Sequence, residues 1–89
     1  MTIKEVKALL HKIGVPVSSY NIDSSPTPIV PGTIILDNTS DGFSVYWTER
    51  NEVYDQRYIK NEQDAVDYFL QLLEGSSKAY RKYVLEHNA

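Results

Sequence analysis

The sequence predicts an α+β fold: a small antiparallel β-sheet of three strands, or of four, with helices packed on one face. Three observations lead to this class. An apolar stripe at helical spacing opens the chain, alternating segments with hairpin signals fill its middle, and two more helical patterns close it. The 89 residues suffice for a single domain, 1–89. The expected order is α-β-β-β-α-α.

The first helix is predicted from about Thr2 to Ile13. Thr2 and Glu5 have the spacing of a capping box, in which each side chain satisfies a free main-chain N–H at the helix start. The apolar stripe of this helix consists of Ile3, Val6, Leu10 and Ile13. Gly14 is a natural helix end, and Pro16 cannot continue the helix.

Residues 15–32 are rich in serine, proline and glycine, which break regular structure. Several apolar side chains punctuate the segment, so we expect an ordered loop held against the domain. A short edge strand around Ser19–Ile22 would supply the fourth strand of the sheet.

The β segments are predicted at Thr33–Asp37, Phe43–Glu49 and Val53–Ile59. Asn38–Gly42 forms the first turn, because Asp-Gly is a strong hairpin signal. The second strand alternates, so one face receives Phe43, Val45 and Trp47 and the other receives Ser44, Tyr46 and Thr48. We expect Trp47 to be largely buried between the sheet and the helices.

The second hairpin is predicted to turn through three residues, Arg50–Glu52, with Asn51 in a left-handed conformation. Glu49 then lies opposite Val53, and Ile59 joins the buried face. A two-residue loop would reverse the parity and leave Ile59 outside. The preferred register puts Tyr46, Tyr54 and Tyr58 on the face away from the helices, and Asp55 and Arg57 on the inner face.

The second helix is predicted to begin at its cap Asn61, with Asp64 at box-like spacing. Gly75 is expected to end it. A third helix should follow over about Ser76–His87, with Tyr80, Tyr83 and Val84 on one side.

Composition excludes several function classes. The chain has no cysteine, which excludes disulfides, thiolate nucleophiles and cysteine-ligated zinc and favours a reducing compartment. Its net charge of −3 disfavours nucleic acid as a partner. Neither a signal peptide nor a membrane span is expected, so we expect a cytoplasmic location. No nucleophile–base pair, phosphate loop or metal-ligand spacing is present, so we expect no enzyme activity, no cofactor and no metal.

The second hairpin is the candidate binding surface for a protein partner. Tyrosine is a typical interface anchor, and carboxylates around it would attract a basic partner. The predicted anchors are Tyr46, Tyr54 and Tyr58, and the predicted charged rim is Glu49, Glu52 and Asp55. In the alternative, the 15–32 loop or the third helix covers the tyrosine face.

Two stretches also resemble small bacterial immunity proteins of polymorphic toxin systems: GFSVYWTERN at 42–51 and IKNEQDAVDYFL at 59–70. In that family a similar strand and turn precede an acidic helix that ends in Y-F-L. The segment GVPVSSYNI at 14–22 is similar to the family's opening loop. Asn51 stands at a family glycine and Trp47 at a family tyrosine. The resemblance implies a cytoplasmic protein that binds and neutralises a cognate toxin, without catalytic residues.

Two other function classes stay open at this point. One is a small ligand-binding or enzymatic domain with a pocket under the 15–32 loop. The other is a phage-encoded or regulatory protein-interaction module, for which self-association through the tyrosine face would be the sign.

Overall fold

The computed structural model describes residues 1–22, 32–49 and 52–87. A short 3₁₀ turn, Val17–Ser19, precedes the first strand. The helices are α1 (Ile3–Ile13), α2 (Glu62–Ser76) and α3 (Lys78–His87), and the strands are β1 (Tyr20–Ile22), β2 (Ile34–Thr39), β3 (Gly42–Glu49) and β4 (Glu52–Ile59). The α+β class is confirmed.

The sheet has four strands in the order β1-β2-β3-β4. β2, β3 and β4 are antiparallel neighbours, as the hairpin signals predicted. The edge strand expected around Ser19–Ile22 is also present, but it runs parallel to β2. The expectation of a purely antiparallel sheet is therefore wrong, because hairpin signals report only on strands joined by tight turns.

The cap of α1 forms as predicted. The Thr2 hydroxyl accepts a hydrogen bond from the Glu5 main-chain N–H, and the Glu5 carboxylate accepts one from the Thr2 N–H. Gly14 ends the helix in the left-handed region, with φ +80°. The Ile3 N–H donates to Glu62 Oε2 at 2.8 Å, which ties the start of α1 to the start of α2.

The hydrophobic core lies between the sheet and the helices. α2 contributes Phe69, α1 contributes Leu10 and β3 contributes Val45, and each of these side chains is fully buried. Because they belong to one cluster, the sheet surface that carries Val45 is the inner face, and the opposite surface is the outer face. α3 contacts α1 and α2.

The C-terminal end of α2 differs from the expectation. Gly75 lies inside the helix, which ends at Ser76, and the Ser77 N–H donates to the Leu73 carbonyl. Glycine ends a helix when it takes a positive φ, and Gly75 does not take one. Arg81 from α3 donates to the carbonyls of Glu74 and Gly75, where a cation complements the helix dipole.

The outer face changes from buried to exposed across the sheet. Ile35 on β2 is only 3% exposed and Ser44 on β3 is buried, whereas Tyr58 on β4 is 75% exposed. Residues 23–31, which belong to the loop that could cover this face, lie outside the described part of the chain. The solvent-exposed part of the outer face is therefore at β4.

Among the residues that the structure describes, no helix has both the length and the apolar character needed to cross a membrane.

Candidate functional site

β4 is the edge strand opposite β1, and it is the most exposed element of the sheet. Its residues from Glu52 to Tyr58 are all exposed. Five large hydrophobic side chains of the described residues are exposed, and three of them lie on this strand: Val53, Tyr54 and Tyr58. The other two, Met1 and Leu85, lie at the N-terminus and on α3.

The pairing of β3 with β4 contains a β-bulge. Trp47 pairs with Tyr54 and Val45 pairs with Arg57, so two residues, Asp55 and Gln56, lie opposite the single residue between Val45 and Trp47. Asp55 has φ +53°, in the left-handed region that Asp tolerates better than most residues. The extra residue reverses the alternation of side chains along β4.

The predicted register of the second hairpin is wrong. Glu49 pairs with Glu52, so two residues separate the paired positions where three were expected. Ile59 nevertheless lies on the inner face as predicted, opposite Phe43, because the bulge compensates for the shorter connection. The prediction that Asn51 is left-handed falls on residues 50 and 51, which lie outside the described ranges.

The bulge separates the three predicted tyrosine anchors. Tyr58 pairs with Ser44 and shares the outer face with Tyr46, as predicted. Tyr54 pairs with Trp47 and therefore lies on the inner face, so its predicted place beside Tyr46 and Tyr58 is wrong. Strict alternation cannot survive one inserted residue between Tyr54 and Tyr58.

Four side chains contact one another on the inner face and are here called the inner-face cluster: Trp47, Tyr54, Glu52 and Asp55. Trp47 and Tyr54 form its centre. Their rings stack with 4.5 Å between centroids and 21° between planes. Trp47 Nε1 donates to Asp55 Oδ2 at 2.9 Å, and the Tyr54 hydroxyl donates to the Glu52 carboxylate. That hydrogen bond raises the pKa of Tyr54, because it is lost when the phenol ionises beside the carboxylate.

Trp47 is mostly buried and packs against the hydrophobic core between the sheet and the helices, so the expectation that it is largely buried is confirmed. β3 does direct it to the inner face, as alternation predicted. Its indole ring packs at the β4 side of the core, and its N–H bonds to an exposed carboxylate.

Tyr68 and Arg57, neither of which was predicted as a site residue, hold the bulge in place. The Tyr68 hydroxyl, from α2, donates to the main-chain carbonyl of Asp55 at 2.6 Å. The guanidinium carbon of Arg57 lies 4.5 Å from the centroid of the Tyr68 ring, a cation–π arrangement. Arg57 shares the inner face with Val45, as predicted. Tyr68 gave no sequence signal for this role, because its hydrogen-bond partner on β4 is a main-chain atom.

The outer face of the hairpin holds Tyr46 and Tyr58 in different environments. Tyr46 is half-buried, and its hydroxyl donates to Asp37 Oδ2 at 3.4 Å. Burial raises the pKa of Tyr46, and the nearby Asp37 charge raises it further. Gln56 Nε2 donates to Ser44 Oγ at 3.1 Å. Tyr58 therefore offers most of its ring to solvent, and Tyr46 offers much less.

The predicted rim residues Glu49, Glu52 and Asp55 are all exposed around the β3–β4 hairpin. Glu49 and Glu52 face each other across the hairpin end, and Asp55 accepts the Trp47 N–H. An open cleft of about 520 Å³ continues the surface between β4 and α2. Asp64 and Asp67, both exposed, line it one helical turn apart.

Charge is unevenly distributed over the elements. Residues 34–76, from β2 to the end of α2, hold nine acidic and three basic residues. α1 and α3 together hold six basic and two acidic residues. The modest net charge of −3 thus conceals an acidic sheet and α2 beside two basic helices.

No group of three or more His, Asp or Glu side chains within 1–22, 32–49 and 52–87 could hold a metal ion. A scan against protein-family models finds no match for this chain. Searches of curated proteins and of solved structures find no match either.

Proposed function

We propose that this domain is a cytoplasmic immunity protein that binds and neutralises a cognate bacterial toxin through β4. The choice of β4 as the binding surface rests on the exposure of Val53, Tyr54 and Tyr58 on this one edge strand. Apolar side chains that are exposed singly need no explanation, but three on one strand are typical of an interface. The resemblance of 42–51 and 59–70 to immunity proteins supplies the class of partner.

The inner-face cluster supports this proposal because its side chains are already held in place before a partner binds. Tyr54 is held by the stack on Trp47 and by the hydrogen bond to Glu52, and Asp55 is held by Trp47 and Tyr68. Side chains that are already fixed lose little conformational freedom on binding, so more of the contact energy appears as affinity. Tyrosine also contributes a large contact area with few rotatable bonds.

The exposed carboxylates of the rim favour a partner with a basic surface. Glu49, Glu52 and Asp55 are exposed, and rim charges of one sign speed the encounter with a partner of opposite sign. The toxin surface that meets β4 is therefore expected to be rich in Lys and Arg. Salt should slow association, because surface charges are screened over about 10 Å at moderate ionic strength.

The proposal predicts that a neighbouring gene encodes the toxin, and the test uses the toxic domain of that toxin. Co-expression should restore growth of cells that make the toxic domain, and calorimetry should show a one-to-one complex. Tyr58→Ala should weaken both protection and binding. Leu85→Ala is the matched control, since Leu85 is comparably exposed at 68% but lies on α3. No protection and no binding would contradict the proposed function.

The binding kinetics should distinguish the tyrosine anchors from the carboxylates of the rim. Tyr54→Ala should raise the dissociation rate and cost ~2 kcal/mol of binding energy, because it removes an anchor. Glu52→Gln should mainly lower the association rate, and its effect should shrink as salt is raised. Wild-type kinetics for both variants would place the binding surface elsewhere on the domain.

A further inference from the structure

β4 presents an aromatic side chain on each of its two faces. Tyr54 lies on the inner face and Tyr58 on the outer face, because the bulge at Asp55 and Gln56 lies between them. We propose that the strand Glu52–Ile59, here called the β4 ridge, enters a basic cleft of its partner and is contacted on both faces. This inference rests on the proposed function and adds the shape and charge of the partner's surface.

A flat partner surface would fit this strand poorly. Docked on the outer face, it would cover Tyr58 and Val53 and leave Tyr54 in water. Docked on the inner face, it would cover Tyr54 and leave Tyr58 in water, at 75% exposure. A cleft whose walls reach past the edge of the sheet covers all three side chains, and burial of apolar area favours that arrangement.

The bulge also disfavours the addition of a partner strand to the β4 edge. A continuous ladder needs a regular run of main-chain donors and acceptors, and β4 is interrupted at Asp55, whose φ is +53°. The Asp55 carbonyl is moreover already bound by the Tyr68 hydroxyl. Bulges in edge strands are a known protection against strand pairing. Side chains, and not the main chain, are therefore the expected contacts.

The charges on and beside the β4 ridge indicate the chemistry of the partner's cleft. Five exposed carboxylates lie on or beside the ridge: Glu52 and Asp55 on it, Glu49 opposite Glu52 on β3, and Asp64 and Asp67 in the groove between β4 and α2. The nearby cation Arg57 is directed at the Tyr68 ring. A neutral or acidic partner cleft would bury these carboxylates without a compensating positive charge, at a cost in free energy. A cleft lined by Lys and Arg complements them.

The first test compares the two faces in the complex with the toxic domain that the proposed function predicts. Tyr54→Ala and Tyr58→Ala should each raise Kd at least about tenfold, while Leu85→Ala leaves it unchanged. Circular dichroism of each variant should match the wild type. If only one of the two tyrosines matters, the contact is one-sided and the ridge model is wrong. If neither substitution raises Kd, the partner contacts the main chain or another surface, and the ridge model is wrong.

The second test needs no toxin. An octa-arginine peptide, titrated into the isotopically labelled protein, should shift the NMR amide signals of the β4 ridge and of residues 64–68. The shifts should disappear at high salt and weaken in an Asp64→Asn, Asp67→Asn double variant. An octa-glutamate peptide is the matched control and should leave β4 unchanged. Shifts confined to α1 and α3, or none at all, would contradict the charge assignment.

The two tests fail in different ways. If the peptide binds the ridge but the toxic domain does not bind the protein, the proposed function is wrong and the cation-binding surface is retained. If the toxic domain binds but the two tyrosines respond unequally, the function is retained and the two-sided ridge is wrong.

Discussion

The indole ring of Trp47 lies against the phenol ring of Tyr54, with their centroids 4.5 Å apart and their planes 21° from parallel. The two residues are paired across β3 and β4 in the register that begins with Glu49 opposite Glu52, and the bulge follows Tyr54 along β4. The stack joins the edge of the core to the exposed strand. It therefore links the stability of the domain to the geometry of the proposed binding surface.

A double-mutant cycle measures this stack. Trp47→Leu and Tyr54→Leu, made singly and together, should show a coupling free energy of about 0.5–1.5 kcal/mol in urea unfolding. The cycle of Trp47→Leu with Tyr58→Leu is the control and should show none, because Tyr58 lies on the other face. Coupling of Trp47 to Tyr58 and not to Tyr54 would mean that the bulged register is wrong.

Gly42 should not tolerate a side chain. Its φ is +144°, and a Cβ placed there would lie 2.7 Å from the Ile59 carbonyl oxygen, a main-chain atom that cannot move aside cheaply. Gly42→Ala should lower the free energy of unfolding by ~2 kcal/mol or more.

Gly75 provides the matched control for Gly42. It is helical, and a Cβ added there would meet no atom within 4 Å. Gly75→Ala should therefore leave the free energy of unfolding unchanged or raise it by up to about 1 kcal/mol. Equal effects of the two substitutions in urea unfolding would be inconsistent with this geometry.

The left-handed conformation of Asp55 can be tested by backbone preference. Glycine and asparagine tolerate the φ of +53° at position 55, so Asp55→Gly and Asp55→Asn fit this backbone, whereas a β-branched residue does not. Asp55→Val should be less stable than Asp55→Gly by about 1–3 kcal/mol. All three variants lose the carboxylate, so the comparison isolates the backbone. Equal stability of the Val and Gly variants would show that the bulge is absent or lies elsewhere.

Stability should fall at alkaline pH. Burial raises the pKa of Tyr80 above its unfolded value of about 10, and burial does the same for Tyr20. A raised pKa means that the folded state holds the proton more tightly. The resulting stability is fully present below the unfolded pKa and is lost as pH rises through the folded pKa.

Urea unfolding between pH 8 and 11, read with tyrosinate absorbance, checks this dependence. The free energy of unfolding should stay constant up to about pH 10 and then decline. Tyr80→Phe should decline less steeply, since the substituted ring cannot ionise. A stability that rises with pH in this range would contradict the assigned cause.

Local signals in the sequence were sufficient for the helix starts and for one strand. The capping box of Thr2 and Glu5, the cap at Asn61 and the alternation of Phe43, Val45 and Trp47 are all confirmed. Each of these features depends on residues within one turn or one strand. The confirmed α+β class follows from them, because a helix–sheet layer needs only the order of elements and their apolar faces.

The errors share a different cause. Two residues separate the paired positions Glu49 and Glu52 where three were expected, so the predicted register placed Tyr54 on the wrong face. The bulge at Asp55, which no residue type requires, returns Tyr58 and Ile59 to their predicted faces. The direction of β1 depends on a non-local pairing with β2 that no turn signal reports. Tyr68 acts on a main-chain carbonyl of β4, a contact that appears only when α2 is packed on the sheet. The three predicted anchors thus all lie on the β3–β4 hairpin, but Tyr54 lies on the face opposite the predicted one.

Hydrogen–deuterium exchange of the protein, free and bound to the toxic domain that the proposed function predicts, tests most directly the claim that β4 is the binding surface. Complex formation should slow exchange of amides in 52–59 and in the adjoining start of α2, and leave α3 unchanged. Slower exchange confined to the helical face around Tyr80, Arg81 and Tyr83, with β4 exchanging as in the free protein, would contradict the account.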